Sequence, residues 1–213
     1  MKNLIVAAAL CCSITPVWAA EAMLEDAQVD TSLPTVERGV EDLMNNCHNC
    51  HTLKYIRFRD LAKLGIDRKK IDEWRGDQTM DAPLASLMSD EAAMQSFGLV
   101  PPDLSLMTKA REGGADYVYS YLLGYYSTPD GVTKNHIFAE TKMPDPLGIS
   151  TTTDHAQREE IRKTAHDIVS FLSWAADPHK QERHRLGYYV IGYLVILTLL
   201  LYFVKDRIWS RLK

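Results

Sequence analysis

Apolar residues are distributed along this chain in two ways. Charge-free, largely apolar runs occupy 4–17 and 186–204, and between them apolar positions recur at helical spacing among polar ones. Behind Pro34-Thr35, a favourable helix start, Val36, Val40, Leu43 and Met44 fall at i, i+4, i+7 and i+8. That spacing marks one face of a helix running into Cys47. Short helical patterns follow at 67–74 and 83–97, and Pro101-Pro102 stops the chain sharply. Gly113-Gly114 reads as a flexible joint, with Asp116 as N-cap of a helix over 117–123 that Gly124 closes. Residues 127–150, rich in Pro, Gly, Asp and Thr, read as loop. A last helix of this region is predicted over 154–176, with Ile161, Ala165, Ile168 and Leu172 on its inner face. Strand-like alternation is scarce. The pattern predicts a mostly α domain whose long connections need something further to pack against.

The two apolar runs differ in kind. The first lies behind the lone charge of Lys2, contains Pro16 and ends in Val17-Trp18-Ala19, the form of a secretory signal peptide over residues 1–19. It is too short to span a bilayer comfortably. Cys11 and Cys12 lie within it, but Leu10 stands where a lipoprotein signal carries a small residue. The second run has 19 residues without a charge; at 1.5 Å per residue it extends about 28 Å, close to the thickness of a bilayer's hydrocarbon core. Tyr188, Tyr189 and Tyr193 mark one end, Tyr202 and Trp209 the other, and Lys205, Arg207, Arg211 and Lys213 follow. Aromatic belts and a basic cytoplasmic flank have this form. The expected organisation is an exported domain over 20–184, a transmembrane helix over 185–205 and a cytoplasmic tail over 206–213. In a bacterium the domain would lie in the periplasm, held at the inner membrane.

Composition narrows the function classes. With 24 basic and 28 acidic residues the net charge is −4, and no basic stripe points to nucleic acid. The acidic segment 21–32, with Glu25-Asp26, reads as a mobile, solvated start. Signal cleavage would remove Cys11 and Cys12 and leave Cys47 and Cys50, too few for a disulfide framework in an exported protein. Those two cysteines need a common explanation.

Cys47-His48-Asn49-Cys50-His51 supplies it, as a C-x-x-C-H sequence that attaches c-type haem. Two thiols three residues apart can each add to a vinyl group of one porphyrin, and the following histidine then lies where its imidazole can bind the iron. A structural zinc site would need a second ligand pair, and a thioredoxin-like redox pair a βαβ setting; the sequence has neither. His48 reads as a spacer. For the sixth iron position the candidates are methionine and histidine. Met80, Met88 and Met94 fall in helical surroundings where methionine fills core, and Met107 also reads as packing. His155 and His166 fall on the last helix of the domain; His179 and His184 approach the membrane. Met143 stands in the long loop before Pro144, which biases it towards the extended backbone of a loop laid over a haem face. Met143 is favoured over His136, and core packing stays open for it.

Further segments, in order along the chain, resemble the cytochrome c1 family. The motif continues as Thr52-Leu53-Lys54-Tyr55. Then come Phe97-Gly98-Leu99-Val100-Pro101-Pro102-Asp103-Leu104-Ser105, Lys109-Ala110-Arg111 with Gly113-Gly114-Ala115-Asp116-Tyr117, Met143-Pro144, and Phe171-Leu172-Ser173-Trp174-Ala175-Ala176 before the C-terminal anchor. The resemblance spans nearly all of the chain after the signal. It implies a c-type cytochrome helical domain with haem-wrapping loops and one C-terminal transmembrane helix. It also implies one haem c bound through Cys47 and Cys50, with His51 and Met143 as iron ligands. By the same resemblance Arg111 and Tyr117 contact the haem propionates, a task that suits the planar donors of arginine, and Pro101 and Pro102 wall the pocket. The implied function is electron transport in a respiratory chain, as a subunit of the quinol:cytochrome c oxidoreductase (bc1) complex. Electrons would arrive from a Rieske iron–sulfur subunit and leave to a c-type cytochrome, with cytochrome b alongside in the membrane. A membrane-anchored monohaem cytochrome serving another oxidase or reductase would share haem and anchor; a haem enzyme or gas sensor would need an open sixth position. The chain is short for the family and has no cysteines for the extra disulfide that some members carry.

Overall fold

The computed structural model of the chain describes residues 23–211. The signal peptide read over 1–19 lies outside the described residues. Helix α1, Leu33–Asn46, begins with Pro34 in its first turn, where the missing N–H has no helical acceptor to lose. Its face of Val36, Val40, Leu43 and Met44 is buried, as the periodicity predicts. That face meets α7, His155–Ala176, whose N-cap Asp154 accepts from the Gln157 N–H. Ala165, Ile168 and Leu172 are buried on the matching side.

One glycine sets how closely these helices approach. A Cβ at Gly39 would lie 2.0 Å from the carbonyl oxygen of Asp167 and 2.8 Å from Cβ of Phe171, so any side chain there collides with backbone. Beside this contact, Arg38 forks onto Asp167, with Nε at 2.6 Å and Nη2 at 3.1 Å. His166 Nδ1 stands 3.1 Å from the same carboxylate. Only 3% of the Asp167 side chain is exposed, and a carboxylate so buried is tolerable only with such compensation.

Between α1 and α7 the chain runs through β1 (Leu53–Arg57), α2 (Phe58–Lys63), α3 (Arg68–Arg75), β2 (Pro83–Leu84), α4 (Asp90–Phe97), α5 (Met107–Ala110), α6 (Gly114–Leu123), β3 (Tyr125–Ser127) and β4 (Thr133–Asn135). Strands β1 and β2 pair antiparallel with Leu53 opposite Leu84; β3 and β4 form a hairpin with Tyr125 opposite Asn135. Phe58, Leu61, Ile71 and Leu84 extend the core beneath this part of the chain. Helix α8, Lys180–Trp209, has no buried residue, and its apolar stretch has a mean hydropathy of 2.0. It is long and apolar enough to cross a membrane, and it begins earlier and ends later than the expected span of 185–205 because the flanking charged residues continue the same helix.

Besides short elements that the pattern did not predict (among them β1, α2, α5 and, within 127–150, β4), three departures concern predicted segments. The helix expected over 83–97 is confined to Asp90–Phe97, because Pro83-Leu84 pairs with β1 and Ser89 caps the start through the Ala92 N–H. The helix expected to begin after Asp116 starts at Gly114, with Gly113 in the left-handed region as its N-cap. The supposed joint is therefore structured, and Asp116 instead accepts the Ala27 N–H at 2.9 Å. That bond belongs to the third difference. Residues 23–32 form an extended strap across α6 and α7: Glu25 N–H reaches Ser120 Oγ at 2.7 Å, Asp30 N–H reaches Ser170 Oγ at 3.2 Å, and Glu25 pairs with Arg162. Glu25, Asp26 and Asp30 stay exposed, as expected, but the segment's backbone is fixed rather than mobile. At Gly113 a Cβ would lie 2.3 Å from Leu24 of this strap.

Asp30 ends the strap and holds the start of α1. Its carboxylate accepts from the Thr35 hydroxyl at 2.6 Å, the Ser32 hydroxyl at 2.7 Å and the Ser32 N–H at 2.8 Å. The Thr35 bond leads the causes that bring its pKa from 3.8 to about 2. A depressed carboxyl adds stability that is present in full above the ordinary value and disappears as pH falls through the folded one. Asp30→Asn should therefore be less stable than the parent at pH 5, with the difference closing between pH 3.8 and about 2; a pH-independent gap in acid-unfolding curves would refute this. Gly39→Ala should cost about 3 kcal/mol in denaturant unfolding, since the added methyl meets backbone that cannot yield; an unchanged midpoint would show that α1 and α7 can separate freely.

Candidate functional site

Helix α1 continues into one further turn. Cys47 N–H bonds the Leu43 carbonyl at 2.8 Å, Cys50 N–H the Cys47 carbonyl at 3.1 Å, and His51 N–H the same carbonyl at 2.9 Å. This turn brings Cys47, Cys50 and His51 to the wall of one cavity of ≈ 370 Å³, a size within the usual range of ligand pockets. Both thiols are free. Burial pushes the Cys47 thiol up to about 12, so it stays protonated.

The opposite edge of this turn is fixed by a zipper. Leu104 N–H bonds the Thr52 carbonyl at 2.8 Å, Lys54 N–H bonds Asp103 Oδ2 at 2.9 Å, and Tyr55 N–H bonds Ser105 Oγ at 3.1 Å. The Pro102 carbonyl is thereby set 2.8 Å from His51 Nδ1. A carbonyl can only accept, so Nδ1 carries the proton and Nε2 keeps its lone pair. Burial lowers the His51 pKa, which favours the neutral imidazole. Pro102 therefore does more than wall a pocket: it orients the histidine. Sequence gave no sign of this, because residues 51 apart meet only through the zipper.

Pro101, Pro102, Arg111, Tyr117 and Met143 line the same cavity, so the structure brings together all eight residues singled out from sequence. They arrive from four stretches of chain, and α7 closes the wall with Ile168 and Leu172. Arg111 is exposed at the rim and has no ion-pair partner among the described residues. Tyr117 is half-buried and stacks on Tyr121, ring centres 6.2 Å apart. His136 does not line the cavity; it stacks on Tyr126 at 4.1 Å. His48 is 2% exposed and outside the lining, with Nε2 unpartnered and its basicity lowered by burial.

Of the other methionines, Met80, Met88 and Met94 are absent from the wall, whereas Met107, read from sequence as packing, is part of it. Sequence reasoning also missed Tyr121 and Thr141, which line the cavity beside Met143. The Met143 N–H bonds Thr141 Oγ1 at 3.2 Å, and its carbonyl accepts from the Tyr125 hydroxyl at 3.1 Å. Burial raises the pKa of the Tyr125 phenol, keeping it a donor. The available signal was the i, i+4 pair Tyr117 and Tyr121 on one face of α6.

Two thiols, a neutral imidazole and a thioether around a mostly apolar cavity, with an unpaired guanidinium at its mouth, fit a haem c. Among the described residues no cluster of three or more His, Cys, Asp or Glu forms an alternative metal site. The sequence profile described as "Cytochrome C1 family" matches residues 18–83 and 67–212. Similar proteins include a cytochrome c1 from Allochromatium vinosum, 32% identical over 99% of this chain and 99% of its own length. A cytochrome c1 from Rhodospirillum rubrum is 29% identical over 84% of this chain and 82% of its own length. A longer Bradyrhizobium diazoefficiens protein, "Cytochrome b/c1", is 31% identical over 82% of this chain and 33% of its own length. With the profile spanning both the cavity and the C-terminal helix, the chain belongs to the cytochrome c1 family, whose members are the haem c subunits of bc1 complexes.

Proposed function

We propose that the chain is a one-electron carrier that binds a single haem c, takes electrons from a Rieske iron–sulfur protein and passes them to a c-type cytochrome. The observation that carries this reading is the convergence of all eight sequence-derived residues on one cavity. When bound, haem c supplies a one-electron iron couple. Cys47 and Cys50 hold it by thioether bonds. His51, oriented by the Pro102 carbonyl, would offer Nε2 to the iron, and Met143 would offer its thioether sulfur. Arg111 and Tyr117 reach the propionates at the rim, where a guanidinium pairs readily with carboxylate. The apolar walls exclude water, which together with the methionine ligand favours a high potential.

The partners proposed are cytochrome b and the Rieske subunit. The single polypeptide named for both b and c1 in Bradyrhizobium diazoefficiens supports the first. Helix α8 would anchor the cavity domain at the outer face of the inner membrane, with a cytoplasmic tail. Quinol-driven reduction of the haem in native membranes is the direct test. It should be abolished by an inhibitor of quinol oxidation, and inhibitor-insensitive reduction would assign the protein to another electron-transfer chain. Because two methionines line the cavity, the ligand is tested by a pair of variants. Met143→Leu should lower the potential and let the reduced iron bind carbon monoxide, while Met107→Leu should do neither; the reverse pattern would move the ligand to Met107.

A further inference from the structure

The loop that carries Met143 has no helix or strand of its own between β4 and α7. Its ends are tied by side chains: Asn135, 1% exposed, accepts from the N–H groups of Ile137 and Phe138, and Asp145 accepts from those of Leu147, Gly148 and Ser150. Met143 sits between the two ties. Its own backbone groups are satisfied by the hydroxyls of Thr141 and Tyr125, which the Tyr121 hydroxyl links. Met143 N–H meets Thr141 Oγ1 at 3.2 Å, Thr141 Oγ1 meets the Tyr121 hydroxyl, Tyr121 meets the Tyr125 hydroxyl at 3.1 Å, and Tyr125 meets the Met143 carbonyl at 3.1 Å.

The Met143 carbonyl can only accept, and it takes the Tyr125 hydroxyl proton, which is shared with the Tyr121 oxygen. Tyr121 and Thr141 share the next bond, and the Thr141 oxygen accepts the Met143 N–H. The circuit closes on the residue where it began. Linked hydroxyl bonds of this kind strengthen one another in a low-dielectric interior. Tyr121 is further held by the rings of Tyr117 and Tyr125, at 6.2 and 5.6 Å.

We infer that Thr141, Tyr121 and Tyr125 are positioning residues for the axial ligand: their hydroxyl circuit grips both backbone groups of Met143 and keeps its sulfur on the iron. The inference rests on the ligand role proposed above for Met143. A loop without ladder hydrogen bonds would otherwise let a neutral, weakly bound thioether swing away. Tyr121→Phe and Thr141→Val each remove one hydroxyl, and with it two bonds of the circuit, while keeping ring or branch in place.

The test uses the full-length, haem-loaded protein, with carbon monoxide affinity of the reduced form and reduction potential as readouts. Each variant should raise carbon monoxide affinity about tenfold, the order expected when net hydrogen-bond stabilisation of the ligand's backbone is lost, and lower the potential. Thr141→Ser should restore both properties. The double variant should show no more than the larger single effect, because a circuit opens only once. Unchanged affinity and potential in both single variants, while Met143→Leu opens the iron, would overturn the circuit and leave the ligand standing. Multiplication of the two effects in the double variant would also overturn it, by showing two separate contacts. If Met143→Leu itself changes nothing, the ligand role fails first.

Discussion

Helices α1 and α7 meet at Gly39 with no room for a methyl group, and the cavity inherits its geometry from that contact. The last residues of α1 lead into the turn of Cys47, Cys50 and His51, while Ile168 and Leu172 of α7 form the wall across from it. Two helices held this close behave as one rigid body, because an interior packed at crystal-like density has little slack. A displacement at Gly39 would therefore be passed to both sides of the cavity. The neighbouring Arg38–Asp167–His166 cluster adds direction to the contact, since a buried carboxylate can be satisfied only in the register that brings its partners to it.

The rest of the cavity is built with little regular structure, and the backbone there is satisfied mainly by side chains. Asp103 and Ser105 tie the Pro101-Pro102 segment to the strand after the motif. Asn135 and Asp145 tie the loop on either side of Met143. The strap of residues 23–32 is fixed to α6 by Asp116 and Ser120. Short polar side chains on loops can reach backbone donors that no helix or sheet would serve. A domain assembled this way can present donors from distant parts of the chain to one ligand. Its proline pair also contributes a carbonyl, that of Pro102, whose sole visible task is to hold the tautomer of His51.

Much of this was legible in the order of residues. The C-x-x-C-H spacing names its chemistry because two thiols and an imidazole must share one turn, and local geometry settles that without tertiary information. The long helices were legible because burial on one face imposes a 3.6-residue period, and the C-terminal helix because 19 uncharged residues match a bilayer. Met143 was legible only in part, through the proline after it. The sequence offered His136 as a rival, and only the stacking of that ring on Tyr126, away from the cavity, separated them. The strap was misread as mobile because its acidic residues are exposed, while the acceptors that fix its backbone, Asp116, Ser120 and Ser170, lie 89 to 140 residues away.

What the sequence alone determined is therefore whatever depends on neighbours within a turn or two: the C-x-x-C-H turn, the amphipathic helices and the long apolar C-terminal helix. What only the tertiary structure decided depends on residues far apart in the chain. Pro102 orients His51, Gly39 admits Asp167, Asp116 serves Ala27 rather than capping α6, and Thr141 and two tyrosines grip Met143. The physical reason is one of range. Periodicity and spacing report forces that act along a helix, whereas a hydrogen bond between distant segments leaves no mark on sequence until the chain has closed around it.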